Sequence, residues 1–471
     1  MIREEKKKSM LKRVCLFGLS AVLIYLFVAT AKADDFNELE KVILAELKET
    51  NTPGAAVAVI NGGRVVFAKG FGVTSIEAGT PITPDTLFRL GSTTKMFTGA
   101  ALVALAGQGK LKLDAPIGNY AKGLAPKLAP LTAHQLLSNS AGVADFAAPS
   151  ISHDDGALAV MVRAWKDEVF FAEPGKIYSY SSPGFWLAGY VIEEITGKPY
   201  ADAMRDLIFN PLGMQRTTFR PLMAMTYPLA LGHDLQANGQ PAIIRPAFNN
   251  VAMWPAGSIY SSANDLARFV TAFLSGGRLD GQQVFPPSLF TTLSGKHIAI
   301  PGETDTFYGY GLMNFDYRGV RLLMHGGFSR GYGSMIQIAP EQGFAVIVVT
   351  NKSGETLSKT TEKAKELFLP LKPLATEAAK KALPMTAAEM NAFTGKYVNG
   401  PQTWEIFIKD GRLFLKEEGA EHALSKTESH RLSWGDTIEN DLVVILGSDG
   451  KAEYIFTGLY SARRSSEKFG K

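Results

Sequence analysis

The chain has 471 residues, more than the roughly 100–200 residues of one compact domain, so two or three units are expected. Hydrophobic residues make up 46% and charged residues 20%, a globular composition that excludes a disordered chain, a coiled coil and a multi-span membrane protein. The formal charge of +4 comes from the first 33 residues, because the remainder carries 42 Lys and Arg against 43 Asp and Glu. This near-neutral remainder lacks the excess of basic residues that is typical of nucleic-acid-binding proteins.

The first 33 residues follow the three-part plan of a secretory signal. A basic stretch ends at Arg13, residues 14–30 carry no charge, and Ala31-Lys32-Ala33 supplies small residues at a cleavage spacing. An uncleaved membrane anchor is the alternative, since 17 uncharged residues approach the lower limit for a spanning helix. The acidic residues that follow favour cleavage, so we expect a periplasmic or secreted protein. Its only cysteine, Cys15, lies in the apolar run, which excludes disulfides, zinc–thiolate sites and a cysteine nucleophile in the mature chain.

Helical and strand patterns are mixed from residue 37 to about residue 371. Apolar residues at helical spacing predict a helix over Asn37–Glu49. Apolar runs at 55–60 and 65–71, joined by a glycine-containing turn, predict a hairpin. A long helical middle follows, then strands are predicted at 321–324, 334–338 and 344–349. A final helix fits Thr356–Leu369, just before Pro370.

Beyond Pro384 the pattern is nearly pure alternation of apolar and polar residues. Two pairs of strand-like runs, 404–409 with 412–416 and 442–446 with 453–457, are joined by Asp-Gly turns. Such turns between alternating runs predict a small antiparallel sheet or barrel. The Ala- and Lys-rich piece from Leu374 to Pro384 reads as a linker.

The segment with the clearest chemistry is Gly91-Ser92-Thr93-Thr94-Lys95, followed by a stretch up to Ala106 that is apolar except for Thr98. Such a helix is expected to be buried on most sides, with Ser92 at its N-terminus, where the helix dipole favours developing negative charge. Lys95 lies three residues on, on the same face. Partial burial lowers the pKa of a lysine, so that it can help to remove the serine proton. The alternative is a serine cap with a snorkelling lysine.

Several further motifs accompany this pair in a fixed order, and together they resemble the penicillin-recognising serine hydrolases. The similar branch comprises class C β-lactamases, D-alanyl-D-alanine carboxypeptidases and β-lactamase-like esterases. The resemblance spans roughly residues 37–370. The motifs are Pro53-Gly54-Ala55, Pro84-Asp85-Thr86-Leu87-Phe88-Arg89, Leu136-Leu137-Ser138-Asn139-Ser140-Ala141-Gly142, Pro211-Leu212-Gly213-Met214, Ala256-Gly257-Ser258 and Asp265-Leu266-Ala267-Arg268-Phe269.

The resemblance implies an α+β (α/β sandwich) fold of the β-lactamase/transpeptidase type, in which an antiparallel sheet from the terminal segments is flanked by helices. The tail resembles the small lipocalin-like barrel appended to some members of the family. We therefore divide the chain into a signal peptide (1–33), a serine hydrolase domain (34–373), a linker (374–386) and a barrel domain (387–471). The role of the barrel stays open; covering the cleft, binding a partner and aiding assembly are the candidates.

The second family motif, Tyr-x-Asn, corresponds here to Tyr180-Ser181-Ser182, which precedes an apolar helix. The resemblance assigns Tyr180 the phenol or phenolate that relays protons between Ser92, Lys95 and the leaving group, and nearby donors are expected to lower its pKa. An ordinary buried tyrosine is the alternative. Ser182 replaces the motif's asparagine, so substrate amide binding or lysine positioning can differ, because a hydroxyl is shorter than an amide.

The third motif is His325-Gly326-Gly327, where β-lactamases carry Lys-Thr-Gly and many relatives carry His-Gly-Gly. By resemblance, the N–H of Phe328 joins that of Ser92 as the oxyanion hole, and histidine weakens the fixed charge that would bind a substrate carboxylate. The motif also reads as a glycine-rich turn between strands.

Two other features can be set aside. Gly327-Phe328-Ser329-Arg330-Gly331 matches the nucleophile elbow of α/β-hydrolases, but that elbow must be followed by a helix, whereas a strand is predicted after Ser329. The remaining histidines show no metal-ligand spacing, and structural or surface roles are expected for them; they are His134, His153, His233, His297, His422 and His430.

The sequence thus predicts an exported serine hydrolase that cleaves an ester or amide through a Ser92 acyl-enzyme. The expected substrate is a small molecule or peptide, with a D-amino-acid peptide or short acyl ester ranked above a β-lactam. A true class C β-lactamase, or a slow sensor of penicillin or peptidoglycan fragments, is the alternative. No metal, organic cofactor or nucleic acid is implied, membrane contact is expected only through an uncleaved leader, and the oligomeric state is left open.

Overall fold

The computed structural model describes residues 33–148, 151–374, 382–435 and 440–465. The predicted signal peptide, apart from its last residue, and residues 375–381 of the predicted linker lie outside these ranges. Within the described ranges, no helix is both long enough and apolar enough to cross a membrane.

The body is built on an eight-stranded antiparallel sheet with the strand order β2-β1-β8-β7-β6-β5-β4-β3. The predicted N-terminal hairpin and the three predicted late strands all belong to it, so the two ends of this domain meet in one sheet. The strands are β1 (Gly54–Asn61), β2 (Arg64–Gly72), β3 (Ile298–Ala299), β4 (Phe307–Tyr308), β5 (Met313–Tyr317), β6 (Val320–Ser329), β7 (Tyr332–Ala339) and β8 (Phe344–Thr350).

Both faces of this sheet are covered, because successive side chains of a strand point to opposite faces. Ala56, Ala58 and Ile60 of β1 pack into the large core shared with the helical region. Val57 and Val59 pack on the other side, into a smaller core formed with the N-terminal and last helices of the domain.

The helical region lies between the two halves of the sheet in chain order. The predicted N-terminal helix begins four residues earlier than expected, and the predicted last helix is two residues shorter at its start. The helices of the chain are α1 (Ala33–Glu49), α2 (Thr94–Gly107), α3 (Ala133–Leu137), α4 (Ala157–Arg163), α5 (Ser182–Thr196), α6 (Tyr200–Met204), α7 (Pro221–Ala224), α8 (Trp254–Gly257), α9 (Ala263–Leu274), α10 (Pro287–Leu293), α11 (Ser358–Phe368) and α12 (Ala387–Phe393).

The tail forms a nine-stranded antiparallel sheet in the order β12-β11-β10-β9-β17-β16-β15-β14-β13. Its edge strands β12 and β13 follow each other in the chain, so the sheet is nearly closed into a barrel around its own apolar core. This confirms the predicted fold class. The strands are β9 (Gly395–Asn399), β10 (Gln402–Lys409), β11 (Arg412–Glu417), β12 (Ala420–Ala423), β13 (Ser425–Glu428), β14 (Arg431–Ser433), β15 (Asp441–Leu446), β16 (Ala452–Phe456) and β17 (Ser461–Arg464).

Candidate active site

Ser92 lies at the start of the buried helix that the sequence predicts. Residues Gly91–Thr93 form a single 3₁₀ turn, and α2 begins directly after it. Gly91 has a φ of +54°, and a Cβ there would lie 2.3 Å from the carbonyl oxygen of Phe328. Glycine is therefore needed to bring Ser92 this close to β6. The Ser92 side chain is partly exposed, at a helix end that favours negative charge.

The side chain of Lys95 is completely buried, because α2 is surrounded by α5, α8 and α10. Its Nζ lies 2.9 Å from the carbonyl oxygen of Ala256, 3.3 Å from Ser92 Oγ and 3.4 Å from Ser182 Oγ. The ring centroid of Tyr180 is 4.6 Å from the same nitrogen. Ser92, which lies one helical turn from Lys95, thus contacts the Lys95 nitrogen. Tyr180 and Ser182, the first and last residues of the second motif, lie around the same nitrogen.

The protonation state of Lys95 follows from its surroundings. Burial of the ammonium group lowers the pKa of Lys95 to about 7, although the negative charge of Asp145 acts in the opposite direction. As a neutral amine, Lys95 has two N–H donors and one lone pair. The Ala256 carbonyl and the Ser182 hydroxyl can accept the two donors, so the lone pair is available for the proton of Ser92.

Tyr180 is buried, and its backbone is held by the motif Leu136–Gly142. Asn139 accepts from Ser179 N through its carbonyl oxygen at 2.9 Å and from Ser181 N through Oδ1 at 3.1 Å. Burial raises the pKa of Tyr180 well above its usual value, while the Ser92 hydroxyl acts against this as a hydrogen-bond partner. The expected lowering of the Tyr180 pKa is therefore wrong, and the residue is a neutral phenol.

The third motif is not a turn, contrary to expectation. His325, Gly326 and Gly327 lie inside β6, which continues to Ser329 and pairs with β7 along its length. A Cβ at Gly327 would lie 1.8 Å from the carbonyl oxygen of Leu90, so the glycine lets β6 approach the residues before Ser92. The strand thereby sets the backbone of Phe328 against Gly91, while the Phe328 side chain is 68% exposed.

His325 is neutral in this site. Burial, together with the nearby charge of Lys95, lowers the pKa of His325 to about 3. Its Nδ1 lies 2.6 Å from the carbonyl oxygen of Gly326, and its Nε2 lies 3.2 Å from the hydroxyl of Tyr308. A carbonyl can only accept, so Nδ1 carries the proton and Nε2 accepts from Tyr308. No fixed positive charge stands where β-lactamases have lysine.

Three contributors to the site escaped the sequence analysis: Asp145, Tyr308 and Tyr460. Asp145 Oδ1 accepts from Ser182 N at 2.8 Å, and Tyr460 of the barrel approaches the same carboxylate. Asp145 follows the Leu136–Gly142 motif by only three residues. This position is the one feature of the sequence that indicates a role for Asp145 in the site. Tyr308 and Tyr460 reach the site through strand pairing and domain docking, which local pattern does not reveal.

The features set aside lie as expected. Ser329 ends β6 and is followed by β7 rather than by a helix, so no nucleophile elbow is formed. His233 and His297 each donate a ring N–H to a backbone carbonyl oxygen, and His134 contacts the hydroxyl of Tyr310. His153 contacts a side-chain amide, and the ring of His422 lies near that of Trp434.

Comparison with known proteins bears on the family to which the body belongs. A family model described as Beta-lactamase matches residues 39–368. Protein flp of Staphylococcus aureus strain MW2 is 25% identical over 340 residues, which are 70% of this chain and 66% of that protein. The chain thus spans just under two thirds of that relative. Penicillin-binding protein 4 of Amycolatopsis lactamdurans is 29% identical over 331 residues, 68% of this chain and 86% of that protein.

A solved structure extends the likeness into the barrel. The octameric penicillin-binding protein homologue from Pyrococcus abyssi aligns over 91% of this chain and 99% of its own, at 26% identity and a TM-score of 0.63. That share exceeds the part matched by the family model, so the likeness includes both the body and the tail.

Proposed function

The chain belongs to the β-lactamase family of penicillin-recognising serine hydrolases, and on that premise we propose that it is an exported acyl hydrolase. It cleaves a D-amino-acid peptide or a short acyl ester through a covalent intermediate on Ser92. The observation that carries the proposal is the 3.3 Å approach of Lys95 Nζ to Ser92 Oγ, made by a lysine that is buried completely.

The proposed reaction has two halves, acylation and deacylation, and Ser92, Lys95 and Tyr180 act in both. Ser92 Oγ attacks the substrate carbonyl carbon and gives its proton to the neutral amine of Lys95. The N–H groups of Ser92 and Phe328 stabilise the oxyanion. Collapse of the tetrahedral intermediate breaks the bond to the leaving group, which takes a proton from the phenol of Tyr180. Water then attacks the acyl carbonyl and gives a proton to the Tyr180 phenolate. Lys95 returns its proton to Ser92 Oγ as the acyl–oxygen bond breaks, which releases the acid and restores all three residues.

The substrate preference follows from the charge at the third motif. A lysine there would offer a fixed cation to a β-lactam carboxylate, whereas His325 is uncharged at neutral pH because its pKa lies at about 3. Tyr180 and His325 are at most 9% exposed, and Lys95 is not exposed at all, so only Ser92 among these groups is offered to solvent. An uncharged site of this kind favours a small neutral ester or amide over an anionic β-lactam.

A substrate panel tests the proposal: p-nitrophenyl esters, D-alanyl-D-alanine peptides and nitrocefin, each with wild type and Ser92→Ala. We expect turnover of an ester or peptide by wild type and none by Ser92→Ala. The matched control is Ser275→Ala, a change at an exposed serine outside the active site, which should stay active. Equal hydrolysis by Ser92→Ala would overturn the assignment. Rapid nitrocefin turnover would identify a β-lactamase, and a penicillin adduct on Ser92 that persists without turnover would identify a sensor.

A further inference from the structure

The barrel contacts the active site through the hairpin of residues 457–460, between β16 and β17, and through Asn399 of β9, whose Oδ1 accepts from Asp145 N at 3.2 Å. The backbone N–H of Tyr180 donates to the carbonyl oxygen of Leu459 at 3.1 Å. The ring of Tyr460 lies edge-on to that of Tyr180, with centroids 6.5 Å apart. The hairpin therefore contacts both the backbone and the ring of a residue in the site.

The hairpin is fixed by a buried polar network. Asn399 Nδ2 and Ser461 N each donate to Ser179 Oγ at 3.1 Å, and Ser461 Oγ donates to the carbonyl oxygen of Tyr178 at 2.6 Å. These residues are all buried, so their hydrogen bonds hold the hairpin in one position against the body. Tyr460 thus has a defined place in the site.

Tyr460 acts on the site through a carboxylate. Its hydroxyl donates to Asp145 Oδ2 at 3.3 Å, while Asp145 Oδ1 accepts from Ser182 N at 2.8 Å. The Ser182 hydroxyl in turn lies 3.4 Å from Lys95 Nζ. A continuous row of contacts therefore runs from the barrel, through Asp145 and Ser182, to the buried lysine.

The simpler interpretation of Asp145 is a helix cap, because Ser182 is the first residue of α5 and a carboxylate stabilises a helix N-terminus. A cap accounts for the contact with Ser182 alone. It does not account for a hydroxyl supplied by another domain, or for the proximity that lets the charge of Asp145 raise the pKa of Lys95 against the effect of burial.

We propose that Asp145 is a positioning residue for Lys95 and that the barrel, through the Tyr460 hydroxyl, holds Asp145 in its working position. This inference rests on the proposed function of Lys95 as the base. The negative charge of Asp145 makes the buried amine more basic than burial alone would. Burial raises the pKa of Asp145, and the hydrogen bonds from Ser182 N and from the Tyr460 hydroxyl act against this by favouring the carboxylate. The catalytic domain thus depends on docking of the barrel for the strength of its base.

Few titratable groups face Lys95 and Asp145. Burial lowers the pKa of Lys95 and the charge of Asp145 acts against this, while burial and the charge of Lys95 together lower the pKa of His325. Burial raises the pKa of Asp145, against the effects of the Ser182 hydrogen bond, Lys95 and Tyr460. Tyr180, beside Lys95, stays neutral because burial raises its pKa. Lys95 and Asp145 are therefore the groups whose charges set the local field.

The test follows the titration of Lys95 Nζ by NMR in full-length protein containing ¹⁵N-lysine, with the resonance assigned by Lys95→Arg. In Asp145→Asn the amide oxygen can still accept from Ser182 N, but the charge is removed, so we expect the midpoint to fall by about one pH unit. Tyr460→Phe should lower it less, and should add nothing in the Asp145→Asn background. Glu303→Gln, which removes the ion pair with Arg431 at the same domain boundary, is the control and should leave the midpoint unchanged.

The rate at which a fluorophosphonate labels Ser92 gives a second readout of the same variants. We expect Asp145→Asn to shift the acid limb of this rate to lower pH and to reduce the limiting rate severalfold, because a less basic amine is a weaker base. Thermal unfolding identifies any variant that fails to fold. An unchanged Lys95 midpoint in folded Asp145→Asn, or a Tyr460→Phe shift that persists without Asp145, overturns the inference. Absence of labelling on Ser92 would instead overturn the proposed function, since the NMR midpoint does not depend on turnover.

Discussion

The Ser182 hydroxyl stands where relatives carry an asparagine, and its role can be measured by removing it. Ser182→Ala deletes one of the two oxygens that accept from the neutral amine of Lys95 and leaves the backbone N–H that binds Asp145 in place. The amine then retains the Ala256 carbonyl as its acceptor. With one N–H unpaired, its lone pair is no longer directed at the Ser92 proton.

The size of the effect follows from the hydrogen bond that Ser182→Ala removes. The Lys95–Ser182 distance of 3.4 Å is at the long end for a hydrogen bond, so its net contribution lies toward the lower part of the range of about 0.5–1.5 kcal/mol. At about 1.4 kcal/mol per factor of ten in rate, we expect kcat/KM to fall roughly two- to fivefold. The decrease should appear in kcat rather than KM, because Ser182 acts on the base.

The assay is steady-state kinetics on the best ester of the panel, with Ser182→Asn and Ser275→Ala measured beside Ser182→Ala. Ser182→Asn restores the family's residue and supplies a carbonyl oxygen to accept from Lys95, so it should recover most of the rate. Ser275→Ala removes an exposed hydroxyl and should match wild type. A Ser182→Ala variant with unchanged kcat would show that Ser182 does not orient the lysine, and the reasoning would fail.

Two further variants probe the scaffold of the site. In Gly91→Ala the new Cβ would lie 2.3 Å from the Phe328 carbonyl oxygen, so β6 must move away from Ser92 and kcat should fall roughly 100-fold or more. The control is Gly107→Ala, whose Cβ has no neighbour within 4 Å and which should keep its activity. Equal kcat in both variants would refute this packing argument. Glu46 of α1 is buried and accepts from Lys359 N at 2.8 Å and from Thr360 N at 2.7 Å at the start of α11. Glu46→Gln should therefore lower the free energy of unfolding in urea by about 1–3 kcal/mol, whereas Glu49→Gln, at an exposed position, should change it little. A Glu46→Gln variant as stable as wild type would contradict the capping role of Glu46.

Local pattern is sufficient wherever a segment carries its own signal. The run after Lys95 predicts a buried helix, and residues 94–105 of α2 are indeed buried throughout. The Asp-Gly turns predict barrel hairpins, and Gly411 and Gly450 have the positive φ that such turns require. The ordered motifs predict the family because they are contiguous in sequence.

Pattern is insufficient where the outcome depends on contacts between distant segments. The His325-Gly326-Gly327 motif predicts a turn because glycine commonly marks turns, whereas in the structure it lies inside β6. The close backbone approach that glycine also allows is made toward Leu90, the second residue before Ser92. The sequence predicts a lowered pKa for Tyr180, whereas burial, which the sequence does not give for a single side chain, raises it. Asp145 and Tyr460 are 315 residues apart and meet only because the barrel docks beside the active site.

The most direct test of the account is the pH dependence of Ser92 acylation by a fluorophosphonate. The reactive form contains neutral Lys95, and burial lowers the pKa of Lys95 to about 7, so the population of the reactive form declines as pH falls below that value. We predict that the labelling rate rises about tenfold per pH unit below pH 7 and levels off above it, and that Lys95→Ala labels at a small fraction of the wild-type rate. A rate that continues to climb between pH 8 and 10, as for an ordinary lysine, or a Lys95→Ala variant as fast as wild type, would contradict it.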